Sequence, residues 1–275
     1  MALKNFSTAW RQRYGDASEA APTESANAQT LSLLEHRSVR SFLNTPLPPG
    51  ALEKAIAAAQ SASSSSNLQP WSVIAVRDPE RKARLSKLAN DQVHIRDAPL
   101  LLVWIVDLAR LSRIAKRAGA PSEALDYLDS YIVGLVDVAL AAQNAVVSLE
   151  ATGLGVVYIG ALRNNAEAVA RELHLPPQTA VAFGLTVGTP DPSRPTFIKP
   201  RLAQSQVLHH ERYGAPNEEA AVAQYDKVFS DFQESQGLPA RTWTSTVLQR
   251  IESVGALHGR EQLRDLLARW SLPLK

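Results

Sequence analysis

Apolar positions along this chain fall into short blocks whose spacing switches between helical and extended several times. Phe6, Trp10 and Tyr14 recur every fourth residue and predict one helical face. That face either docks on the body or meets a partner; docking is expected, because a single short helix is marginal alone. Residues 18–29 are rich in Ala, Ser, Thr and Glu without bulky apolar side chains, and read as a linker. Leu31, Leu33 and Leu34 predict a helix over 28–37. Pro46, Pro48 and Pro49 break the pattern, and Pro48-Pro49-Gly50 opens a second helix through 61. Residues 71–77 read as a short buried strand, and Asp78-Pro79 starts a helix to about residue 88. Residues 100–107 are almost wholly apolar, which predicts a central strand covered on both faces.

The longest helical stretch is 129–152. Its apolar residues run nearly all the way round, so it is expected to be a core helix, stopped by Gly153 and Gly155. Strands follow at 156–159 and 180–187, with a helix at 165–173 between them. A Pro-rich irregular segment covers 191–200, and helices are expected at 218–232, 244–251 and 260–270. No internal repeat is visible. Helices dominate and about four strands are clear, so the class is α+β. No GxGxxG follows the first strand, and Gly153-Leu154-Gly155 precedes a strand instead, which argues against a dinucleotide-binding βαβ unit.

With 275 residues, 45% of them hydrophobic, the chain suits one large domain or two small ones. A net charge of +2, with basic and acidic residues interleaved, gives no footprint for nucleic acid. The absence of cysteine excludes disulfides, thiolate metal sites and cysteine nucleophiles. His209-His210 is an adjacent pair rather than the i, i+4 spacing of a helical metal site, and no HExxH occurs, so no metal is expected. Residues 1–16 carry no apolar core of the signal-peptide kind, and the longest apolar run, 99–106, is far shorter than a membrane span. The expectation is a soluble, cytoplasmic protein.

Five segments carry candidate chemistry. In His36-Arg37-Ser38-Val39-Arg40, two guanidinium forks and a hydroxyl suit a phosphate; the plainer account is cations complementing a helix C-terminus. The run Ser63 to Ser66, with Leu68 and Gln69, offers hydroxyls and backbone groups to a polar ligand edge, or is a flexible loop. Gln92 has both a donor and an acceptor, or is a surface glutamine. Tyr158-Ile159-Gly160-Ala161 leaves a strand and enters a helix, a turn that points N–H groups outward. Gly160 permits close backbone approach, and a simple tight turn would also require it. Lys199-Pro200-Arg201 holds two cations about a stiff proline, or is a solvated loop.

In this order the segments resemble the NADPH-dependent branch of the FMN-containing nitroreductase family, the oxygen-insensitive major nitroreductases and related flavin reductases. Gly134-Leu135-Val136-Asp137, Ala142-Gln143-Asn144-Ala145, Gly153 to Gly160 and Leu162-Arg163-Asn164-Asn165 add to the likeness. It spans 28–275, leaving 1–27 as an N-terminal extension and linker and 205–275 as a C-terminal helical excursion. The resemblance implies a nitroreductase-like sandwich, with a mixed central sheet flanked by helices around the long core helix, in an intertwined homodimer. It implies FMN contacts from His36, Arg37, Ser38, Arg40, Ser63, Ser64, Ser65, Leu68, Gln92, Tyr158, Ile159, Gly160, Ala161, Lys199 and Arg201. Ser64 is the foremost of the serines, Leu68 packs on the ring, and an N–H at the Gly160 turn lies near flavin N5.

Relatives often have a second glycine where this chain has Ala161, whose methyl is expected to narrow the pocket or shift the turn. Relatives also carry arginines before a Thr-Trp motif, which hold the NADPH 2′-phosphate. Here only Arg241 is cationic and Gln236 stands where a key arginine is expected, so the choice between NADPH and NADH stays open. The implied reaction passes hydride from NAD(P)H through flavin N5 to nitroaromatic or quinone acceptors in ping-pong order, with no catalytic side chain. The alternatives are a flavin reductase or another flavoenzyme of the family with a different acceptor, and a non-catalytic FMN-binding protein.

Overall fold

The computed structural model describes residues 6–15, 26–214 and 217–275. Residues 18–25 of the expected linker lie outside the described residues. In chain order the helices are α1 (Phe6–Tyr14), α2 (Ala28–Leu34), α3 (Ala51–Gln60), α4 (Pro79–Leu88), α5 (Val93–Asp97) and α6 (Ala109–Ala118). They continue with α7 (Leu128–Ala151), α8 (Ala166–Glu172), α9 (Glu218–Ser235), α10 (Trp243–Ile251) and α11 (Leu263–Arg269). The strands are β1 (Trp71–Val76), β2 (Leu100–Asp107), β3 (Gly155–Ile159) and β4 (Thr179–Gly188). The chain divides into two compact units, Met1–Arg37 with Thr196–Ala256, and Ser38–Pro195 with Leu257–Lys275.

The second unit is built on a four-stranded sheet in the order β1-β2-β4-β3. All residues of β2 are buried, as its apolar run predicts. Alternation sends them to opposite sides. Leu100, Leu102, Trp104 and Val106 join one core with Ala55 and Ala59 of α3 and Val138, Ala141 and Ala142 of α7. Leu101, Val103 and Ile105 join the other with Leu85 of α4, Ile95 of α5 and Val169 of α8. Each fully buried Leu or Val side chain contributes about 1.5–3 kcal/mol. The helix α7 lies tight on β2: a Cβ at Gly134 would come within 2.6 Å of Val106 Cγ1, so valine there would push the layers apart. Asp78 caps α4 through its carboxylate, which accepts from Arg81 N at 2.7 Å, with Pro79 in the first turn.

Four features differ from expectation. The mixed character of the sheet is confined to one bridge: Ser38 pairs parallel with Val156, while all three strand pairs are antiparallel. The apolar surface of α7 is covered on one side only, and Leu128, Ile132, Val136 and Leu140 stand about half exposed at intervals of one turn. The helix α2 stops at Leu34 with Glu35 as its cap, so Arg37, Ser38 and Arg40 lie beyond it and do not close it. Finally, α5 and α6 have no counterpart in the apolar pattern. One has five residues, and the other has Leu111 and Ile114 as its large apolar residues among four cations.

In the first unit, α1 docks as expected. Trp10 packs edge-on against Phe6 and at a tilt against Tyr14, at centroid distances of 5.6 and 4.6 Å, and Ala9, Trp10 and Arg13 are buried. Thr242 caps α10 by accepting from Ser245 N at 3.0 Å. Trp243 packs edge-on against Tyr225 of α9 at 5.5 Å, and Asp226 accepts from Thr244 N at 2.8 Å.

Candidate functional site

Within the second unit, two of the singled-out segments run side by side. Val39 N donates to Val156 O at 2.9 Å beside the Ser38–Val156 bridge. A Cβ at Gly155 would stand 2.7 Å from Val39 Cβ, so this glycine sets the close approach. Strand β3 then leads directly into a 3-10 turn, Gly160–Arg163. Gly160 does not hold the left-handed φ that favours glycine, and an added Cβ would meet only the Arg163 guanidinium, at 3.5 Å. Neither a tight turn nor internal packing therefore requires glycine, contrary to the simple-turn account. Ile159 and Ala161 are buried in the core, so the Ala161 methyl fills the interior and does not narrow a pocket. Tyr158 packs edge-on against Phe183 at 5.0 Å and donates to Gln143 Oε1 at 3.2 Å. Burial, reinforced by Glu150, pushes its hydroxyl far above the ordinary tyrosine value, so it remains a donor.

The serine run sits beside α7. Asp137, 2% exposed, accepts from Ser64 Oγ at 2.5 Å and from Ser65 N at 3.2 Å. Ser64 Oγ in turn accepts from Gln69 N at 2.9 Å. Its hydroxyl is thus committed to the framework, while Ser63, Ser65 and Leu68 are exposed. Ser66, Asn67 and Gln69 adopt left-handed backbone, with φ of 48°, 54° and 50°. Such conformations cost about 1 kcal/mol or more each for non-glycine residues and concentrate at ligand clamps. Asp137 was not singled out by its chemistry in the sequence. The available signal was a carboxylate in an apolar stretch of α7, between Val136 and Val138, which must find partners.

Arg40 is exposed and acts on His94. Burial first, and Arg40 second, hold the imidazole below its ordinary value, against an opposing pull from Asp97. Gln92 occupies the cap position of α5, half-buried, and its carbonyl accepts from the buried Ser86 hydroxyl at 2.8 Å.

In the first unit, burial alternates along residues 198–201: Ile198 and Pro200 are buried, Lys199 and Arg201 exposed. Both cations are thus presented outward from a backbone that is pinned. Tyr225 donates to Pro200 O at 2.8 Å, Arg13 Nη1 donates to Lys199 O at 2.9 Å, and Arg201 N donates to Arg13 O at 2.8 Å. Lys199 Nζ lies 6.0 Å from the centre of the Phe229 ring. His36 is half-buried and its carbonyl accepts from Arg13 Nη2 at 2.9 Å. Sequence reasoning missed Arg13. Its signal was position: it falls three residues after Trp10 and four after Ala9, on the docking face of α1.

Arg37 and Gln236 line one cleft of about 470 Å³, together with Gln12, Glu35, Phe197 and Phe232. Arg241 is exposed and is not among the residues lining it. No cluster of three or more His, Asp or Glu side chains suited to a metal occurs among the described residues.

Known proteins share this arrangement. Residues 33–189 match the model of the nitroreductase family, and residues 199–275 match the model of that family's C-terminal domain. A protein of Bacillus subtilis (strain 168) named FMN reductase (NADPH) is 36% identical over 79% of this chain and 88% of its own. An NADPH-dependent oxidoreductase of Staphylococcus aureus (strain USA300) is 34% identical over 84% of this chain and 93% of its own. Among solved structures, the hypothetical oxidoreductase YcnD from Bacillus subtilis superposes with a TM-score of 0.84 at 32% identity, over 89% of this chain and 98% of that one. The NADPH:FMN oxidoreductase from Vibrio harveyi, complexed with NAD+, gives 0.79 at 31% identity, over 90% and 100%. Sequence and fold agree over both halves of the match, and the chain belongs to the nitroreductase family.

Proposed function

We propose that this protein is an FMN-dependent oxidoreductase that takes electrons from NADPH or NADH. The observation that carries the reading is the Ser38–Val156 bridge, which brings the segment holding Ser38 and Arg40 alongside the strand that leads into Gly160. Gly160 supports it as well. A glycine with no conformational or packing need inside its own chain suits a place where a ligand meets the backbone. The donor set fits FMN: cations and a hydroxyl for the phosphate, amide and hydroxyl groups for the polar ring edge, an apolar side chain for the ring face.

In the second unit the reading assigns to the flavin Ser38, Arg40, Ser63, Ser65, Leu68, Gln92 and the backbone of Tyr158 to Ala161. Ser64 shapes the loop through Asp137. In the first unit it assigns His36, Arg37, Lys199 and Arg201. The chemistry bound FMN supplies is two-electron transfer from the nicotinamide to a nitroaromatic or quinone acceptor, in ping-pong order. The chain's own part is to hold and orient. The cations favour negative charge on the flavin, and the hydrogen-bonded serine loop and the Gly160 turn fix position. Gln236 is assigned to the nucleotide donor and lines a cleft that Arg37 of the flavin set borders.

The same reading takes the protein as a homodimer joined through α7, because the half-exposed stripe Leu128, Ile132, Val136 and Leu140 is a large apolar face for a soluble helix. The test is an anaerobic visible spectrum of the FMN-reconstituted protein titrated with NADPH and, separately, NADH. Bleaching by either donor is expected. Bound flavin that neither donor bleaches would sink the reading and leave a flavin-binding protein or a flavoprotein driven by another donor.

A further inference from the structure

The N-terminal helix α1 contributes a buried arginine whose guanidinium holds backbone at three carbonyls. Arg13 is 6% exposed. Its guanidinium donates through Nη2 to Leu34 O at 2.7 Å and His36 O at 2.9 Å, and through Nη1 to Lys199 O at 2.9 Å. Its own carbonyl accepts from Arg201 N at 2.8 Å. Four hydrogen bonds thus tie one residue to two stretches of chain far apart in sequence. One is the end of α2, immediately before Arg37. The other is Lys199-Pro200-Arg201.

Physical chemistry explains the choice of residue. The last carbonyls of α2 have no partner inside the helix, and that end carries the negative pole of its dipole. A planar guanidinium presents five donors in a fixed fork and can span three carbonyls at once; an ammonium cannot reach in that geometry. A buried cation is tolerated where its donors are satisfied.

We propose that Arg13 is a positioning residue, which fixes the backbone of both segments so that Arg37, Lys199 and Arg201 are held ready for a phosphate-bearing ligand. The N-terminal helix is then a working part of anion recognition. This rests on the assignment of Lys199 and Arg201 to FMN, and the experiment separates the two claims.

FMN and riboflavin affinities are measured by fluorescence titration of the full-length apoprotein and of Arg13→Ala, Arg13→Lys and Arg201→Ala. Amide exchange at residues 34–37 and 199–201 is followed in parallel. Riboflavin has the same ring and no phosphate, so a general loss of structure weakens both ligands alike, whereas mispositioned cations weaken FMN alone. The expected result for Arg13→Ala is an FMN dissociation constant raised about tenfold or more, with riboflavin changed less than about twofold. Faster exchange at both segments accompanies it, and Arg13→Lys falls between. If Arg201→Ala weakens FMN while Arg13→Ala does not, or if Arg13→Ala weakens both ligands equally, the inference about Arg13 is wrong and the flavin assignment stands. If neither substitution affects FMN, the assignment of the cations fails and the inference falls with it. Should Arg13→Ala not fold, Arg13→Lys and the exchange of the Arg201 amide in the unaltered protein decide: ordinary fast exchange there overturns the proposal.

Discussion

The hydroxyl of Ser64 donates to the buried carboxylate of Asp137 at 2.5 Å, and this bond anchors a loop in which Ser66, Asn67 and Gln69 hold left-handed backbone. Strained backbone persists only where its surroundings over-determine it. Asp137→Ala strips the acceptor from both the Ser64 hydroxyl and the Ser65 amide. A loss of about 2–4 kcal/mol in urea unfolding is expected, with weaker FMN binding. An unchanged unfolding midpoint would show that the loop holds its shape by other means.

Gly160 offers the opposite combination. Nothing inside the chain crowds it, so Gly160→Ala should leave stability unchanged or raise it by about 0.4–1 kcal/mol. FMN affinity should fall about tenfold, because the added methyl meets the ligand. Thermal melting of the apoprotein and flavin titration together check this; normal FMN binding would remove Gly160 from the site.

Gln236 and Arg37 share a cleft. A guanidinium at position 236 would favour a 2′-phosphate, so Gln236→Arg should raise the ratio of kcat/KM for NADPH over NADH about tenfold. Steady-state kinetics with both donors measures it, and an unaltered ratio would place the nucleotide phosphate elsewhere.

The apolar stripe of α7 gives a prediction about assembly. Val136→Glu puts a charge amid Ile132 and Leu140, both about half exposed in the single chain. Self-association should weaken about a hundredfold or more. Sedimentation of the variant is the readout, and a dimer of undiminished affinity would exclude this face.

His94 supplies a pH dependence. Burial and then Arg40 hold its pKa below the ordinary value. Below about pH 6.5 the unfolded chain takes up the proton first, so stability falls with pH until the folded-state pKa is reached, and levels off beneath it. His94→Gln should flatten that decline, and Arg40→Ala should move the folded pKa upward. NMR titration of the His94 ring in both backgrounds tests the direction; a shift downward in Arg40→Ala would refute the coupling.

Much of the second unit was legible in advance. The all-apolar run at 100–107 became β2, buried on both faces, because period-two alternation cannot leave a polar side when every residue is apolar. Asp78-Pro79 fixed the start of α4 through local capping chemistry. The polar helix α6 left little apolar periodicity to read. The stop of α2 at Leu34 was also illegible, since no proline or glycine between 35 and 40 marks it. Candidate residues could be named by type, but whether a hydroxyl was available could not. Ser63 to Ser66 are alike in sequence, and only the position of Asp137 commits Ser64 inward while Ser63 and Ser65 stay exposed.

By itself, then, the sequence determined what local physics can encode: where strands and helices form, which segments carry cations, hydroxyls and permissive glycines, and which family they resemble. The tertiary structure decided which of those groups are spent on the protein's own framework and which remain for a ligand. Arg13 is the plainest case. As a sequence symbol it is a surface cation on a short helix; folded, it is buried with its donors fixed on Leu34, His36 and Lys199. Hydrogen-bond partners far apart along the chain are set by packing, and packing depends on every element at once.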